Sequence, residues 1–259
     1  MKKFVLAVAV MAALGGSALA ADPQARAYTR APAAAEPTPG WTGFYVFGGA
    51  GGGVWDADNN AVTNPGGVPL TVNQRMGGDG WFGTVGAGYD WQFNGSWVAG
   101  IFADGQFGSL SGSINDNFAG LTGREKLRDA WAAGVRLGYL VAPNVFSYVN
   151  AGFTQSAWSS ASLASTTGGA AFVNTPSFNR SGWFLGGGVE NNLNIFGITA
   201  PGLFMKTEYR ASHFSSITLP ETIAGVPDGE SVTSKPFVQT IGTSLVYRFN
   251  WTGPVVAKY

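Results

Sequence analysis

From Trp41 onward, hydrophobic residues alternate with small or polar residues at a period of two. Residues 81–91 show this most clearly, because their odd positions are mostly aromatic or aliphatic and their even positions are mostly glycine, threonine or aspartate. Such a period is typical of a β-strand with two unlike faces. Ten steps along a strand tilted by about 40° rise about 25 Å, the height of the apolar band of a membrane barrel. Trp81 and Trp91 would then lie at the two membrane interfaces.

Seven further segments alternate in the same way, so the sequence predicts eight strands. Those seven are residues 42–54, 96–109, 127–140, 145–158, 181–191, 202–213 and 236–249. Short, turn-rich connections at 94–96, 142–144 and 192–201 alternate with long polar ones at 55–80, 110–126, 159–180 and 214–235. This predicts an all-β, eight-stranded antiparallel up-and-down transmembrane β-barrel with short periplasmic turns and long outer loops. A secreted β-sandwich with the same apolar residues in its core remains the alternative.

The first residues have the pattern of an export signal. Lys2 and Lys3 precede an apolar run over 4–14, which is too short for a membrane helix, and residues 18–20 read Ala-Leu-Ala. We therefore expect a signal peptide over 1–20, a Pro/Ala-rich periplasmic lead-in over 21–40, and an outer-membrane β-barrel over 41–259. The predicted location is the cell outer membrane.

Composition excludes several classes of function. The chain has 15 basic and 15 acidic residues, and removing Lys2 and Lys3 leaves 13 against 15, a net charge of −2. A nucleic-acid partner is therefore not expected. With no cysteine and one histidine, neither a thiolate nor a multi-histidine metal site is available. Asp56 with Asp58, or residues 115–117, are near enough in sequence to touch a calcium ion, but such clusters more often serve turns. We predict no cofactor and no metal.

Strand parity places one group of charged residues on the inward face. A charge facing the middle of a bilayer costs about 2–4 kcal/mol for Arg or Lys, and an eight-stranded barrel is only wide enough for its side chains to fill. This indicates a lumen closed by paired charges rather than an ion path. The predicted lumen network is Asp104, Arg128, Arg136, Glu190, Lys206, Glu208, Arg210 and Arg248.

Outward positions near the strand ends are aromatic, which predicts interfacial girdles. The predicted girdle residues are Trp81, Tyr89, Trp91, Trp97, Tyr139, Tyr247 and Phe249. The last strand also resembles the C-terminal signal that the barrel-assembly machinery reads, in which glycine is followed by alternating large apolar residues. Its residues are Gly242, Leu245, Tyr247 and Phe249.

The two ends of the barrel segment together resemble a known family. The opening is Trp41, Thr42, Gly43, Phe44, Tyr45 and Val46, and the ending runs from Tyr247 to Trp251 and from Gly253 to Tyr259. Both look like the alphaproteobacterial small outer-membrane β-barrel family, which is opacity-protein-like and related to the OmpA transmembrane domain. The resemblance implies an eight-stranded barrel that is often an abundant surface antigen. Some members bind haem or act in adhesion, but no motif here carries either activity over.

Only one short pattern suggests an enzyme. His213 and Ser215 share a strand face, as in the His-x-Ser element of lipid A deacylases, and Glu221 is the nearby candidate to orient the imidazole. A polar interfacial histidine and a loop serine are the simpler interpretation. We expect a structural and surface-interaction protein, with a narrow porin-like channel as the alternative and a lipid A-modifying enzyme as a minor one. Expected partners are outer-membrane lipids and lipopolysaccharide, the assembly machinery, and host or surface ligands bound by loops.

Overall fold

The computed structural model describes residues 40–195 and 198–249, and in that part of the chain eleven strands form one antiparallel sheet. The strands are β1 (Gly43–Thr63), β2 (Gln74–Phe93), β3 (Trp97–Asp116), β4 (Leu121–Ala142), β5 (Val145–Trp158), β6 (Ala161–Ser165), β7 (Val173–Thr175), β8 (Phe178–Ile195), β9 (Ile198–Phe214), β10 (Ile217–Ile223) and β11 (Val226–Arg248). None of the described residues belongs to a helix long and apolar enough to cross a membrane. The predicted signal peptide and lead-in lie outside these residues.

The sheet closes twice, so the barrel consists of two stacked rings that share five strands. Near the chain ends the order is β1-β2-β3-β4-β5-β8-β9-β11, closed by β1 against β11, and we call these eight strands the basal ring. Farther out, β5, β8 and β9 end, and β6, β7 and β10 continue between β4 and β11. We call β1-β2-β3-β4-β6-β7-β10-β11 the distal ring.

The outside of the basal ring is an apolar belt bounded by aromatic residues. Its exposed aliphatic side chains include members on six of the eight strands: Val85, Ile101, Val135, Leu137, Val149, Leu185, Ile241 and Leu245. On β4 the belt runs from Trp131 to Tyr139, and on β2 from Trp81 to Trp91, which corresponds to a height of about 20–25 Å for tilted strands. This height matches the hydrocarbon-facing band of a transmembrane barrel.

Large side chains and glycines fit together inside the basal ring. A Cβ at Gly86 would collide with the ring of Phe47, and one at Gly88 with the hydroxyl of Tyr45. Both glycines lie on β2, directly across from β1. The high glycine content therefore makes room for bulky residues in a narrow lumen, as expected for crowded strands.

The distal ring encloses an apolar core. Trp158 is fully buried, packs edge-on against Trp55 with ring centroids 5.1 Å apart, and stacks on Phe178 at 5.8 Å. Leu163 on β6 and Leu219 on β10 belong to the same cluster. This ring is mostly apolar inside and mostly polar outside, which is the arrangement of a structure surrounded by water.

The structure confirms the eight-stranded barrel but changes its outer part. Much of 55–80, 110–126, 159–180 and 214–235, predicted as loops, is strand: β1 reaches Thr63, β4 starts at Leu121, and β6, β7 and β10 are additional. These segments are rich in Gly, Ser, Thr and Asn because their outward side chains meet water. That composition resembles the composition of loops, so the sequence pattern underestimated the strands.

Two of the three short turns lie where they were predicted. Asn94 and Gly95, in the three-residue turn between Phe93 and Trp97, have φ values of 48° and 75°, a left-handed geometry that asparagine and glycine adopt readily. The β4–β5 connection is also short, between Ala142 and Val145. The connection predicted over 192–201 is mostly strand, because β8 reaches Ile195 and β9 starts at Ile198, and residues 196–197 lie outside the described part of the chain.

Candidate functional site: the charged lumen

Four charged side chains from four strands form a closed layer across the basal ring. Arg136 Nη2 lies 2.5 Å from Asp90 Oδ2, and Arg136 Nη1 lies 3.1 Å from Glu190 Oε2. Arg248 bridges the same two carboxylates, with Nη1 at 2.8 Å from Asp90 Oδ2 and Nη2 at 2.8 Å from Glu190 Oε1. All four residues are buried. Two positive and two negative charges therefore neutralise each other in what we call the first charge layer.

A second charge layer lies farther along the lumen and is also balanced. Arg210 donates to Asp104 through two bonds of 3.0 and 2.7 Å, and to Glu208 Oε1 at 2.9 Å. Lys206 Nζ lies 3.8 Å from Glu208 Oε2, which also accepts a 2.8 Å hydrogen bond from the Tyr148 hydroxyl. Bidentate pairs of this kind are the strongest form of a charged hydrogen bond.

Aromatic rings fill the space around these charges. The Arg136 guanidinium lies 4.2 Å from the centre of the Tyr45 ring, and Lys206 Nζ lies 3.4 Å from that of Phe47. Two cavities lie beside the second layer, and their volumes are only about 10 and 20 Å³. Spaces of that size hold about one water each. The arrangement can fix the barrel wall but leaves little room for a solute.

Comparison with known proteins identifies the family. The chain matches the outer membrane protein beta-barrel domain family over residues 6–249. The chain belongs to this family. Its relatives include the 31 kDa outer-membrane immunogenic proteins of Brucella melitensis and Brucella suis, each 27% identical over 251 residues that cover 95% of this chain and 100% of the relative. A similar solved structure is the outer membrane protein OprG of Pseudomonas aeruginosa, with a TM-score of 0.48, 10% identity, and coverage of 82% of this chain and 99% of that one.

The protein is therefore an outer-membrane β-barrel located in the cell outer membrane, as the sequence predicted. The apolar belt is the part that faces lipid, and the basal ring crosses the membrane. The distal ring lies beyond the belt, on the side away from the described chain ends.

Seven predicted network residues of this outer-membrane barrel are in the two layers, and one is not. Arg128 is exposed, so its prediction as a lumen residue is wrong. The β4–β5 register shifts between Leu127 and Asp129, and this irregularity reverses which side of β4 faces inward. Asp90 was missed, although it lies on the inward, even-numbered face of β2 and carries half of the negative charge in the first layer.

The predicted girdle residues all lie on the outside of the barrel. Two ring pairs mark its basal edge, Trp97 with Tyr139 at 5.5 Å and Tyr247 with Phe249 at 5.1 Å. The remaining members are Trp81, Tyr89 and Trp91. The predicted assembly signal has its large side chains on the same outer face: Leu245, Tyr247 and Phe249 are 51%, 47% and 58% exposed, and Gly242 is partly buried.

The opposite edge, where Trp81 was predicted to lie, has five further girdle residues that sequence reasoning missed. Aromatic rings follow one another across β4, β5, β8, β9 and β11 in neighbouring register positions. They are Trp131, Phe153, Trp183, His213 and Phe237. These residues mark where the membrane part ends and the distal ring begins.

His213 is part of this girdle and lies apart from Glu221, the third member of the predicted catalytic group. Its imidazole lies between the rings of Trp183 and Phe237, with centroids 4.5 and 4.4 Å away. The Ser215 hydroxyl donates to the backbone oxygen of Ser181 at 3.2 Å. Glu221, the candidate third member, is buried inside the distal ring, whereas His213 is exposed on the outside. The three residues are therefore not assembled.

The distal ring brings together a set of oxygen donors that could hold a metal ion. Asp116, Glu221 and Glu230 each place one carboxylate oxygen within 4.8 Å of the others. Asp116 had been noted in the sequence beside two asparagines, but the two glutamates are far away along the chain. Glu125, another buried carboxyl of this ring, is separate from the set, and burial raises its pKa to about 7.

Proposed function

We propose that this protein is an anchored surface protein, whose basal ring holds it in the outer membrane and whose distal ring presents a folded β-structure on the cell surface. The observation that carries the proposal is the closed interior. Two balanced charge layers fill the membrane part, and the apolar core around Trp158 fills the part above it. A barrel filled along both rings is suited to anchoring and display.

The filled interior argues against the alternative of a narrow porin-like channel. A buried ion pair that loses one partner leaves an uncompensated charge, so opening the lumen would require both layers to separate at a high cost. A solute would then have to pass between Trp55 and Trp158 in the distal core. A role at the surface requires neither step.

The relative from Brucella melitensis supports surface exposure. It is named an outer-membrane immunogenic protein, and it aligns with 95% of this chain. An immunogenic protein elicits an immune response, and the part of an outer-membrane protein outside the bilayer is open to such recognition. By analogy, we infer that the distal ring of this chain is the part available to antibodies and to surface ligands.

We also infer the partners of the outside of the barrel. The belt and its two girdles are suited to outer-membrane lipids and lipopolysaccharide, because aromatic rings favour the interface between hydrocarbon and headgroups. The exposed residues of the last strand, Leu245, Tyr247 and Phe249, fit the signal for the barrel-assembly machinery.

Cysteine labelling in intact cells tests the proposal, since the chain has no cysteine of its own. Asn174→Cys puts a thiol on an exposed position of the distal ring, and Asn144→Cys puts one on the exposed β4–β5 turn. A membrane-impermeant maleimide should label the first variant in intact cells and the second only after lysis. Labelling of Asn144→Cys, and not of Asn174→Cys, in intact cells would overturn the proposal.

We also propose that His213 and Ser215 have no catalytic role. The support is geometric, because His213 is stacked between two rings and Glu221 faces the opposite side of the barrel wall. The lipid A of cells that express His213→Ala should have the same acylation as that of cells with the unaltered protein. A change in acylation by mass spectrometry would instead favour the lipid A-modifying alternative.

A further inference from the structure

Three carboxylates from three strands meet inside the distal ring. Asp116 ends β3, Glu221 lies on β10, and Glu230 lies near the start of β11. The strand register brings them together: Asp116 is in the outermost β3–β4 pair, Glu230 pairs with Thr63 at the end of β1, and Glu221 lies at the irregularity between Pro220 and Thr222. Residues more than a hundred positions apart thus share one site.

Two of the three carboxylates are buried, and several of their oxygens lack hydrogen-bond donors. Glu221 is 0% exposed, and neither of its oxygens has a hydrogen-bond partner in the described part of the chain. Asp116 is 2% exposed; its Oδ1 accepts a 2.8 Å hydrogen bond from the Phe118 amide, while its Oδ2 has no donor. Buried carboxylates normally accept several hydrogen bonds, so these free oxygens call for a missing partner.

The charges around the site are all of one sign. The groups that act on Glu221 are Asp116 on β3 and Asp228 and Glu230 on β11, and each is acidic. Among residues 40–195 and 198–249, no arginine, lysine or histidine forms an ion pair with these carboxylates. Burial and these neighbours raise the pKa of Glu221 to about 8, and they raise the pKa of Glu230 as well. Buried carboxylates without a positive partner carry an uncompensated charge, which a cation would neutralise.

The donor atoms select the kind of cation. All are carboxylate oxygens, which hard cations such as Ca²⁺ and Mg²⁺ prefer. The three carboxylate oxygens lie within 4.8 Å of one another, so one ion can contact all three. A buried site has little room for the several waters that Mg²⁺ keeps, and this favours Ca²⁺. Glu230 is only partly buried and so leaves a route from solvent.

We propose that Asp116, Glu221 and Glu230 form a calcium site that ties β3, β10 and β11 together at the distal end of the barrel. The ion would join β10, which belongs to the distal ring alone, to two strands that both rings share. A further buried oxygen, Thr175 Oγ1, lies on the neighbouring β7 and also has no hydrogen-bond partner. Bound calcium would then stabilise the distal ring and would not contact the lumen charges.

Calorimetric titration of the full protein, extracted in detergent and stripped with a chelator, tests the site. We expect one Ca²⁺ per chain with a Kd of about 10⁻⁴–10⁻³ M, the range of extracellular calcium modules, and a weaker response to Mg²⁺. No calcium binding, or a preference for Mg²⁺, would overturn the proposal.

Two variants test whether calcium binds at this site. Glu221→Gln keeps the shape of the side chain and should weaken calcium binding about tenfold or more. Glu125→Gln alters another buried carboxyl of the same ring and should bind calcium as the unaltered protein does. Equal binding by Glu221→Gln, or equal loss in both variants, would show that the site is not where we place it.

A third measurement needs no variant. Calcium should slow proteolysis of the β10–β11 hairpin several-fold, and a chelator should restore it, whereas cleavage at the β4–β5 turn should not change. A hairpin whose cleavage is independent of calcium would contradict a structural ion at this position even if Glu221→Gln failed to fold.

Discussion

The basal and distal rings share five strands but have opposite chemistry inside. The basal interior contains eight charged side chains in two balanced layers, whereas the distal interior is mostly an apolar cluster around Trp55 and Trp158. In the described part of the chain, the buried charged groups of the distal ring are all carboxyls, those of Asp116, Glu125 and Glu221. Outside, the relation is reversed, because the basal ring faces lipid and the distal ring faces water. The surrounding solvent therefore determines which face of a strand carries the hydrophobic residues.

Strand β4 shows the change within one element. Arg136 faces the lumen in the basal ring, and Leu127 and Leu121 face the core of the distal ring. Between them the register with β5 shifts after Leu127, so inward positions change from even to odd numbers. A bulge at the membrane boundary thus lets one strand serve both interiors.

The largest expected effect comes from breaking the first charge layer. Arg136→Ala leaves Asp90 and Glu190 with Arg248 alone, so an unpaired negative charge stays buried. We expect a loss of about 3–5 kcal/mol in the free energy of unfolding, measured with urea in lipid vesicles. Arg128→Ala, on the same strand but exposed, should change it by less than about 0.5 kcal/mol. Similar losses for the two arginines would contradict the assignment of lumen residues.

A smaller, local effect should follow from a cavity in the distal core. Leu163→Ala truncates a fully buried side chain on β6 and should cost about 2–5 kcal/mol. Because β6 belongs only to the distal ring, protease sensitivity should rise there while the basal ring remains folded. Leu185→Ala, on the lipid face at 57% exposure, is the matched control and should leave the distal ring intact. Joint unfolding of both rings in Leu163→Ala would show that they are one cooperative unit.

The smallest expected effect is the pH dependence that the Glu125 carboxyl gives to the stability of the distal ring. Burial raises its pKa from the ordinary value of 4.5 to about 7, so folding favours the protonated carboxyl. The stabilisation is fully present below about pH 4.5 and is lost as pH rises through about 7, at most about 3 kcal/mol. Native-state proteolysis of the distal ring from acid to neutral pH measures it. Glu125→Gln should lose this part of the pH dependence, and an unchanged pH profile would contradict a buried carboxyl here.

The basal ring could be predicted from the sequence because lipid imposes a strict alternation on its strands. Charges at even positions of β9, such as Lys206 and Arg210, and aromatic residues at strand ends were visible in the linear pattern. Arg128 was misplaced because a bulge shifts parity without leaving a clear signal in the sequence.

The distal ring was missed for a different reason. Its outward residues are mostly polar, and several of its inward positions are polar as well, so the segments resembled loops. These inward polar residues are Asn59, Thr175, Ser231 and Ser234. The carboxylate site depends on pairing between β10 and β11 and on the end of β3, a juxtaposition that no local spacing encodes. Long-range register, and not residue type, carries that information.

The central claim is that the lumen is closed, and the conductance of the unaltered protein in a planar bilayer tests it most directly. The paired layers of Asp90, Arg136, Glu190 and Arg248 and of Asp104, Lys206, Glu208 and Arg210 predict a membrane without stable current steps. Large, long-lived openings would contradict the closed lumen and would favour the channel instead.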